Sequence, residues 1–404
     1  MVENKDKKIA KGRNIIALGF VSLFTDISSE MVFGLLPLFL TGQLGASKTL
    51  LGLVEGTGEM LGHTSRLVSG TASDAIQKRK PLVLIGYSIS AASKPFFGFA
   101  GSWTDVFSVR SADRIGKGIR TAPRDALISE SVEDQKVGRA FGLHRSMDQV
   151  GAIIGPLVAF ALFPFVGFHG IFYLSILPAA VAIVVLIFFV NDRPMSSKVR
   201  TSIMANLKKV LAQRRFVILL AIMAIFNVGA FNFSFVIIRA SDLGVPDGMV
   251  LIAYTVINAA HTIAGFPAGV LADRIGREKM LAISYGVFLA STILMVTSTT
   301  SNEAYLIAAV FGAYIGISET VQRALVPKYI SNDQIRGTAY GLYNMVIGVS
   351  FFAANIVFGF LLDSAGLTAA TTYSIVTSGM AIVALATFQT VGRKRAEAGL
   401  GGAL

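Results

Sequence analysis

Long apolar runs alternate with short polar turns along nearly the whole chain. Segments such as 171–190, 216–238, 280–296 and 371–386 are almost entirely apolar, and each is about long enough to cross a hydrocarbon core of roughly 30 Å as a helix. Twelve segments of this kind occur, which predicts an all-α membrane protein with twelve transmembrane helices. The series is interrupted after the sixth by a polar, basic stretch containing Pro194, Ser196 and Ser197. The division predicted is an N-terminal six-helix bundle over 1–192, a linker over 193–215 and a C-terminal six-helix bundle over 216–404.

An internal repeat supports two related halves. Gly70-Thr-Ala-Ser-Asp74 aligns with Gly269-Val-Leu-Ala-Asp273, and Ala140-Phe-Gly-Leu143 with Ala339-Tyr-Gly-Leu342, both 199 residues apart. Leu44-Gly45 and Leu243-Gly244, and Arg124 and Arg323, repeat at the same offset of 199. A single offset running from the first outer turn to the fifth helix implies parallel, pseudo-symmetric halves.

Composition narrows the class. At 53% hydrophobic and 15% charged residues, the 404-residue chain is far from a soluble protein. It has no cysteine, which excludes disulfide and thiol chemistry, and its four histidines, His63, His144, His169 and His261, are too scattered for a metal motif. The net charge of +12 follows topology and not a nucleic-acid surface. Lys and Arg gather at Lys5–Arg13, Lys78–Lys80, Lys136 and Arg139, the linker, Arg274–Lys279, Lys328, Arg336 and Arg393–Arg395, whereas the alternate turns hold Lys48 and Arg239. The positive-inside rule then puts both termini and the linker in the cytoplasm of a multi-pass plasma-membrane protein. The charged N-terminus lacks a cleavage-site pattern, so the first helix is expected to be retained.

The loop Gly70-x-x-x-Asp74-x-x-x-Lys78-Arg79-Lys80 and its copy Gly269-x-x-x-Asp273-Arg274-x-Gly276-Arg277-x-Lys279 resemble the loop signature of the major facilitator superfamily. Arg110 with Gly118 in the fourth helix is similar to the second motif of that family, and Gly151-x-x-x-Gly155-Pro156 in the fifth to the motif of its drug and metabolite:proton antiporter branch. The first loop departs from the pattern at Ala75 and Gln77, and the fifth helix has Ala159 where the branch has glycine. The resemblance implies alternating access around a central cavity lined mainly by helices 1, 4, 7 and 10. It also implies a cytoplasmic latch at Gly70, Asp74, Gly269, Asp273 and Arg274, to which we add Arg124 and Arg139 as gating candidates. Topogenic charge alone is the competing account of the loops, and ordinary helix packing that of the glycines.

Charges inside the membrane are the candidate chemistry. Asp26 and Glu30 are four residues apart on helix 1, Glu55, Glu59 and His63 on helix 2, and His144 and Asp148 on helix 5, so each helix presents its charges on one face. Helix 4 carries Arg110, Asp113, Arg114 and Lys117 at helical spacing, and Arg145 lies on helix 5. An ionised group at mid-bilayer costs about 2.5–3.5 kcal/mol on insertion scales. The cluster therefore predicts a buried network, with Arg110 near Glu30 or Glu55 and Arg114 near Asp26 or Glu59. Toward the inner end, Pro123 is expected to disfavour a regular helix around Arg120, Arg124 and Asp125.

The second half offers amides and aromatics instead: Asn227, Phe231, Asn232 and Phe235 on helix 7, Tyr314 and Glu319 on helix 10, Tyr343 and Asn344 on helix 11. With Arg110 they are the candidate substrate contacts for an amphipathic small molecule. No GxxxxGK[ST] loop occurs, so a gradient must drive any transport. The leading expectation is a non-enzymatic, proton-coupled exporter of drugs or metabolites that acts as a monomer without cofactor, nucleic acid or metal. Two alternatives stand: a transporter of organic anions or anionic lipids using Arg110, Arg114 and Lys117, and a non-transporting receptor or scaffold.

Overall fold

The computed structural model describes residues 2–76, 78–132, 137–192 and 203–397, without the side chains of 2–13, 71, 74–76, 203–204, 333–334 and 392–397. Among the described residues every regular element is helical. The first half runs α1 Val2–Phe33, α2 Lys48–Ile76, α3 Lys80–Ser93, α4 Trp103–Glu130, α5 Val137–Leu174 and α6 Ile176–Phe189. The second runs α7 Arg214–Gly229, α8 Asp247–Ile275, α9 Arg277–Thr297, α10 Ser301–Tyr329, α11 Asp333–Ser364 and α12 Gly366–Glu397.

Among the described residues, nine segments are long and apolar enough to cross a membrane. One of them, 137–189, spans 53 residues and holds two crossings, because Gly167 (φ 60°, ψ −165°) turns the chain in a region that favours glycine. The remaining two crossings, α2 and α4, have the length but carry the charges. The fold is thus twelve transmembrane helices, six in each half. Local sequence explains the interruptions. Pro95 ends α3 in a short 3-10 turn, Lys94–Phe99. After α7 the chain restarts as the helix Phe233–Asp242, capped by Asn232, whose Oδ1 accepts from Ser234 N–H at 2.9 Å. Arg214 and Arg215, counted in the linker by the sequence reading, already open α7. The helix Ile203–Leu211 precedes them.

One expectation fails. α4 continues through Pro123 to Glu130 as one helix. Pro123 and the following Leu127 and Ile128 are buried, so lateral packing holds the turn in which proline forfeits a hydrogen bond.

The chain forms two compact units. Unit 1 comprises 1–46, 57–197 and 246–255, and unit 2 comprises 47–56, 198–245 and 256–404. Within each, glycine sets the closest helix approaches. In unit 1, a Cβ on Gly151 would collide with the Leu23 carbonyl and one on Gly155 would stand 2.7 Å from the Ile27 carbonyl, so α5 lies directly on the α1 backbone. A Cβ on Gly116 would stand 2.8 Å from the Gly86 carbonyl of α3 and one on Gly118 2.7 Å from the Gly62 carbonyl of α2, so α4 is held between two helices. In unit 2, Gly312 and Gly316 of α10 press on the Ile257 and His261 carbonyls of α8.

Replacing Gly155 by leucine is expected to lower stability by about 1–3 kcal/mol through overpacking. Gly42→Ala, where an added Cβ meets nothing, is expected to stay within about 0.5 kcal/mol of the parent. Thermal unfolding in detergent compares the two; equal melting temperatures would refute the close α1–α5 approach.

Candidate functional site

The α1–α5 contact assembles the most unusual chemistry in unit 1. Asp148, on α5 one turn before Gly151, is a neighbour of Asp26 on α1, whose Cβ lies 3.1 Å from where a Cβ on Gly151 would be. Ser22 donates to Asp148 Oδ1 at 2.6 Å, and Arg145 Nη1 donates to Oδ2 at 3.1 Å. A carboxylate has acceptors only, so two carboxyl groups hydrogen-bond to each other only when one holds a proton. One turn further along α1, Glu30 accepts from the hydroxyl of Tyr254, whose ring lies over Gly34. Sequence reasoning named Asp26, Glu30, Arg145 and Asp148 but neither this pairing nor Tyr254, which comes from a helix far along the chain.

On α4 the charges divide between two faces. Arg110, Arg114 and Gly118 look toward α2, where Gly58 leaves room for both arginine stems, with the Arg114 Cγ 3.1 Å from where its Cβ would be. Arg114 Nη2 meets Glu59 Oε1 at 2.7 Å, one of the two partners expected for it. Both guanidinium groups lie over the Phe33 ring, Arg110 at 3.9 Å and Arg114 at 5.4 Å from its centroid. Asp113, Gly116 and Arg120 look toward α3: Ser90 donates to Asp113 Oδ1 at 2.6 Å, and Arg120 lies 4.3 Å over the Tyr87 ring. Arg110 spans the faces, with Nη1 3.9 Å from Asp113 Oδ2. The charges at helical spacing on α4 thus serve two faces, since a step of about 100° per residue separates Asp113 from Arg114 and both sides of α4 are covered. Lys94, fully buried, donates to Ser28 of α1 at 3.1 Å.

Lys117 stands apart. The carboxylates acting on it are Asp26, Glu59 and Glu30, yet among the described residues it forms no direct ion pair. His63 is half-buried one turn beyond Glu59. Glu55 is buried, and the start of α2 that carries it belongs to unit 2.

In unit 2 the candidate solute contacts are mostly engaged locally. Phe231 stacks on Phe311 at 5.5 Å and lies 4.4 Å from Phe358, while Phe235 meets Phe358 edge-on at 4.9 Å. Asn227 and Asn344 donate to carbonyls of their own helices, Met223 and Tyr340. Tyr314 packs on Phe288 at 4.9 Å. Tyr343 donates to Gln322 at 2.9 Å, and Gln322 in turn to Ser318 at 2.8 Å. Glu319 lies 3.6 Å from Arg323 and 3.9 Å from His261 Nε2, a grouping the sequence spacing of α10 only half suggested.

Of the gating candidates, the Asp74 side chain lies outside the described residues. Gly70 faces Ala122 of α4, Arg124 pairs with the adjacent Asp125 at 2.8 Å, and Arg139 and Arg274 are exposed. Gly269 faces Thr320, and Asp273 pairs with Arg277 at 3.3 Å. The strongest contact at this end is one the sequence presented as topogenic charge: buried Arg79 clamps Glu130, the last residue of α4, at 2.7 Å and donates to Ser73.

Twelve spanning helices in repeated halves, with a titratable cluster buried in the first, define a multi-pass carrier of the bundle-repeat type. The chain belongs to the Major Facilitator Superfamily, which its residues 18–256 and 217–402 match. It is 32% identical over 364 residues to an MFS-type transporter of Methanocaldococcus jannaschii, covering 88% of this chain and 89% of that one. It is 22% identical over 355 residues to the multidrug resistance protein MdtH of Salmonella arizonae, covering 86% and 84%. In fold it is similar to a variant of the nucleoside transporter NupG, with a TM-score of 0.79 at 14% identity over 93% of this chain and 99% of that one. It is a transporter of this family.

Arg114→Met is expected to destabilise the protein by up to about 3 kcal/mol, because Glu59 keeps its charge in a largely buried setting. Adding Glu59→Gln should restore much of that loss. A double-mutant cycle on detergent unfolding checks this; purely additive losses would mean that the two side chains do not interact.

Proposed function

We propose that this transporter couples solute movement to protons through the Asp26–Asp148 pair, and that it works as an exporter of small organic solutes such as drugs or metabolites. The observation that supports the reading is the closeness of the two carboxyl groups: a Cβ on Gly151, one turn from Asp148, would stand 3.1 Å from the Asp26 Cβ, and Ser22, one turn before Asp26, donates to Asp148 at 2.6 Å, so a proton held by one is positioned to be shared with the other. Losing that proton leaves two like charges side by side in a low-dielectric setting, which favours separation of α1 and α5. Separation on deprotonation and closure on protonation link titration to helix position, the requirement for coupling to alternating access. Ser22 and Arg145 hold Asp148 in place, which favours Asp26 as the member whose surroundings change. The distant relationship to MdtH supports the direction of transport, and the positive-inside charge pattern supports a plasma-membrane location with cytoplasmic termini.

A second reading rests on Lys117. A half-buried ammonium among three carboxylates without a direct ion pair is suited to the negative group of an organic anion, whereas Arg114 is already committed to Glu59.

Asp26→Asn and Asp148→Asn keep a hydrogen bond between the two side chains but remove the shared proton. In liposomes, each should reduce solute flux driven by a pH gradient to the level of empty vesicles while solute counterflow continues. Unchanged pH-driven flux in both variants would refute the coupling role. Lys117→Gln separates the readings: an increase in solute KM with an unaltered pH profile supports the anion transporter, and an altered pH profile with unchanged KM supports the proton network.

A further inference from the structure

A concavity lies in unit 2. It has a volume of about 460 Å³ and is lined by Arg215, Glu278, Lys279, Lys328, Tyr329 and Phe388, among others. We propose that it binds a phosphate-bearing anion, the phosphodiester of an anionic phospholipid headgroup or a free phosphate, independently of the solute that the protein carries.

The charge balance points to an anion. Glu278 is the carboxylate in the lining, and it is neutralised within the protein: Lys328 Nζ lies 2.7 Å from its Oε1 and the Tyr329 hydroxyl donates to it at 2.7 Å. Arg215 and Lys279 are left without an ion-pair partner among the described residues, and both are on the wall of the cavity. Arg277, next in sequence, is turned away to the Ala324 carbonyl at 2.7 Å and to Asp273. Arg215 and Lys279 are exposed, and both line this concavity.

Two helices also begin at this wall. α7 starts after Gln213 and α9 after Gly276 (φ 100°), and neither residue supplies a side-chain cap to the first-turn N–H groups. The positive end of α7 adds to the field of Arg215 and Lys279, while Glu278 in the first turn of α9 offsets that of its own helix. Beside this polar wall Tyr329 and Phe388 form an aromatic pair, with ring centroids 5.9 Å apart. An aromatic flank next to cations is the arrangement found where headgroup meets acyl chain. The charge pattern assigns this end of the helices to the cytoplasmic side, where anionic lipids gather and where basic pockets between helices take their headgroups. A phosphate held here would join the start of α7 to α9 and α10, and would add to the stability of unit 2.

The test uses the full-length protein in phosphatidylcholine nanodiscs, with thermal unfolding and native mass spectrometry as readouts. Adding phosphatidylglycerol is expected to raise the melting temperature and to leave lipid bound. The double variant Arg215→Gln, Lys279→Gln should weaken retention roughly ten- to thirty-fold, the effect of two charges near an anionic surface. Millimolar inorganic phosphate in the same nanodiscs distinguishes the sources: stabilisation of the parent but not the double variant assigns the site to free phosphate, and stabilisation by phosphatidylglycerol alone assigns it to lipid. A control variant, Lys208→Gln, Lys209→Gln, removes charge from the helix Ile203–Leu211 outside the cavity and should retain lipid normally. The proposal is overturned if neither probe stabilises the parent, if the double variant responds as the parent does, or if the control loses as much as the double variant.

Discussion

The contact of α5 with the backbone of α1 is what the rest of unit 1 depends on. Gly151 and Gly155 let the two helices approach until a methyl group would not fit between them. At that separation side chains one turn away cannot avoid each other, and the ones present are Asp26 and Asp148. A wider helix pair would leave room for water between the carboxyl groups. Close packing that in most membrane proteins serves only association here brings titratable groups together.

The cations of α4 solve a different problem. Arg110, Arg114, Lys117 and Arg120 cannot all be neutralised by carboxylates on one neighbour, and the helix distributes them. Glycines on opposite sides, Gly116 and Gly118, admit α3 and α2 equally closely. Each neighbour then supplies a partner: Glu59 from α2 for Arg114, the Tyr87 ring from α3 for Arg120, and Phe33 from α1 for the two outer arginines. Aromatic faces take part of the charge, so fewer carboxylates are needed than a pairwise ion-pair scheme requires.

The helices, the repeat and the charge-bearing faces were legible in the sequence because they depend on local spacing. So was the depth of Arg114, for which Asp26 and Glu59 were the expected partners and Glu59 is the one it meets. The Asp26–Asp148 contact was not legible: glycine spacing announced that α5 packs closely on something, but no residue in it specifies α1. Tyr254 was hidden for the same reason, since its hydroxyl reaches Glu30 from a distant stretch of chain. The two faces of α4 were not legible on a subtler point. Spacings of three and four define a face, but a helix enclosed on two sides uses both edges of that face. Pro123 misled because the rule that proline ends a helix assumes water as the competitor for freed backbone groups, and these residues are buried.

Comparison of the halves at the 199-residue offset separates scaffold from chemistry. Arg79 and Glu130, which clamp the end of α4 in the first half, correspond to Glu278 and Tyr329, which are also hydrogen-bonded to each other, at 2.7 Å. The clamp survives with its polarity exchanged, so its position matters and its charge sign does not. Asp26, Arg110, Lys117 and Asp148 correspond instead to Ile225, Ala309, Gly316 and Ile347. Nothing in the repeated architecture needs those four charges, since the second half folds on the same plan without them. Arg110 is fully buried and the other three half-buried, and removing charges from water costs stability that packing alone would not demand. They are present in one copy of a repeat whose other copy does without them, which supports the proposal that the coupling chemistry lies in the first half.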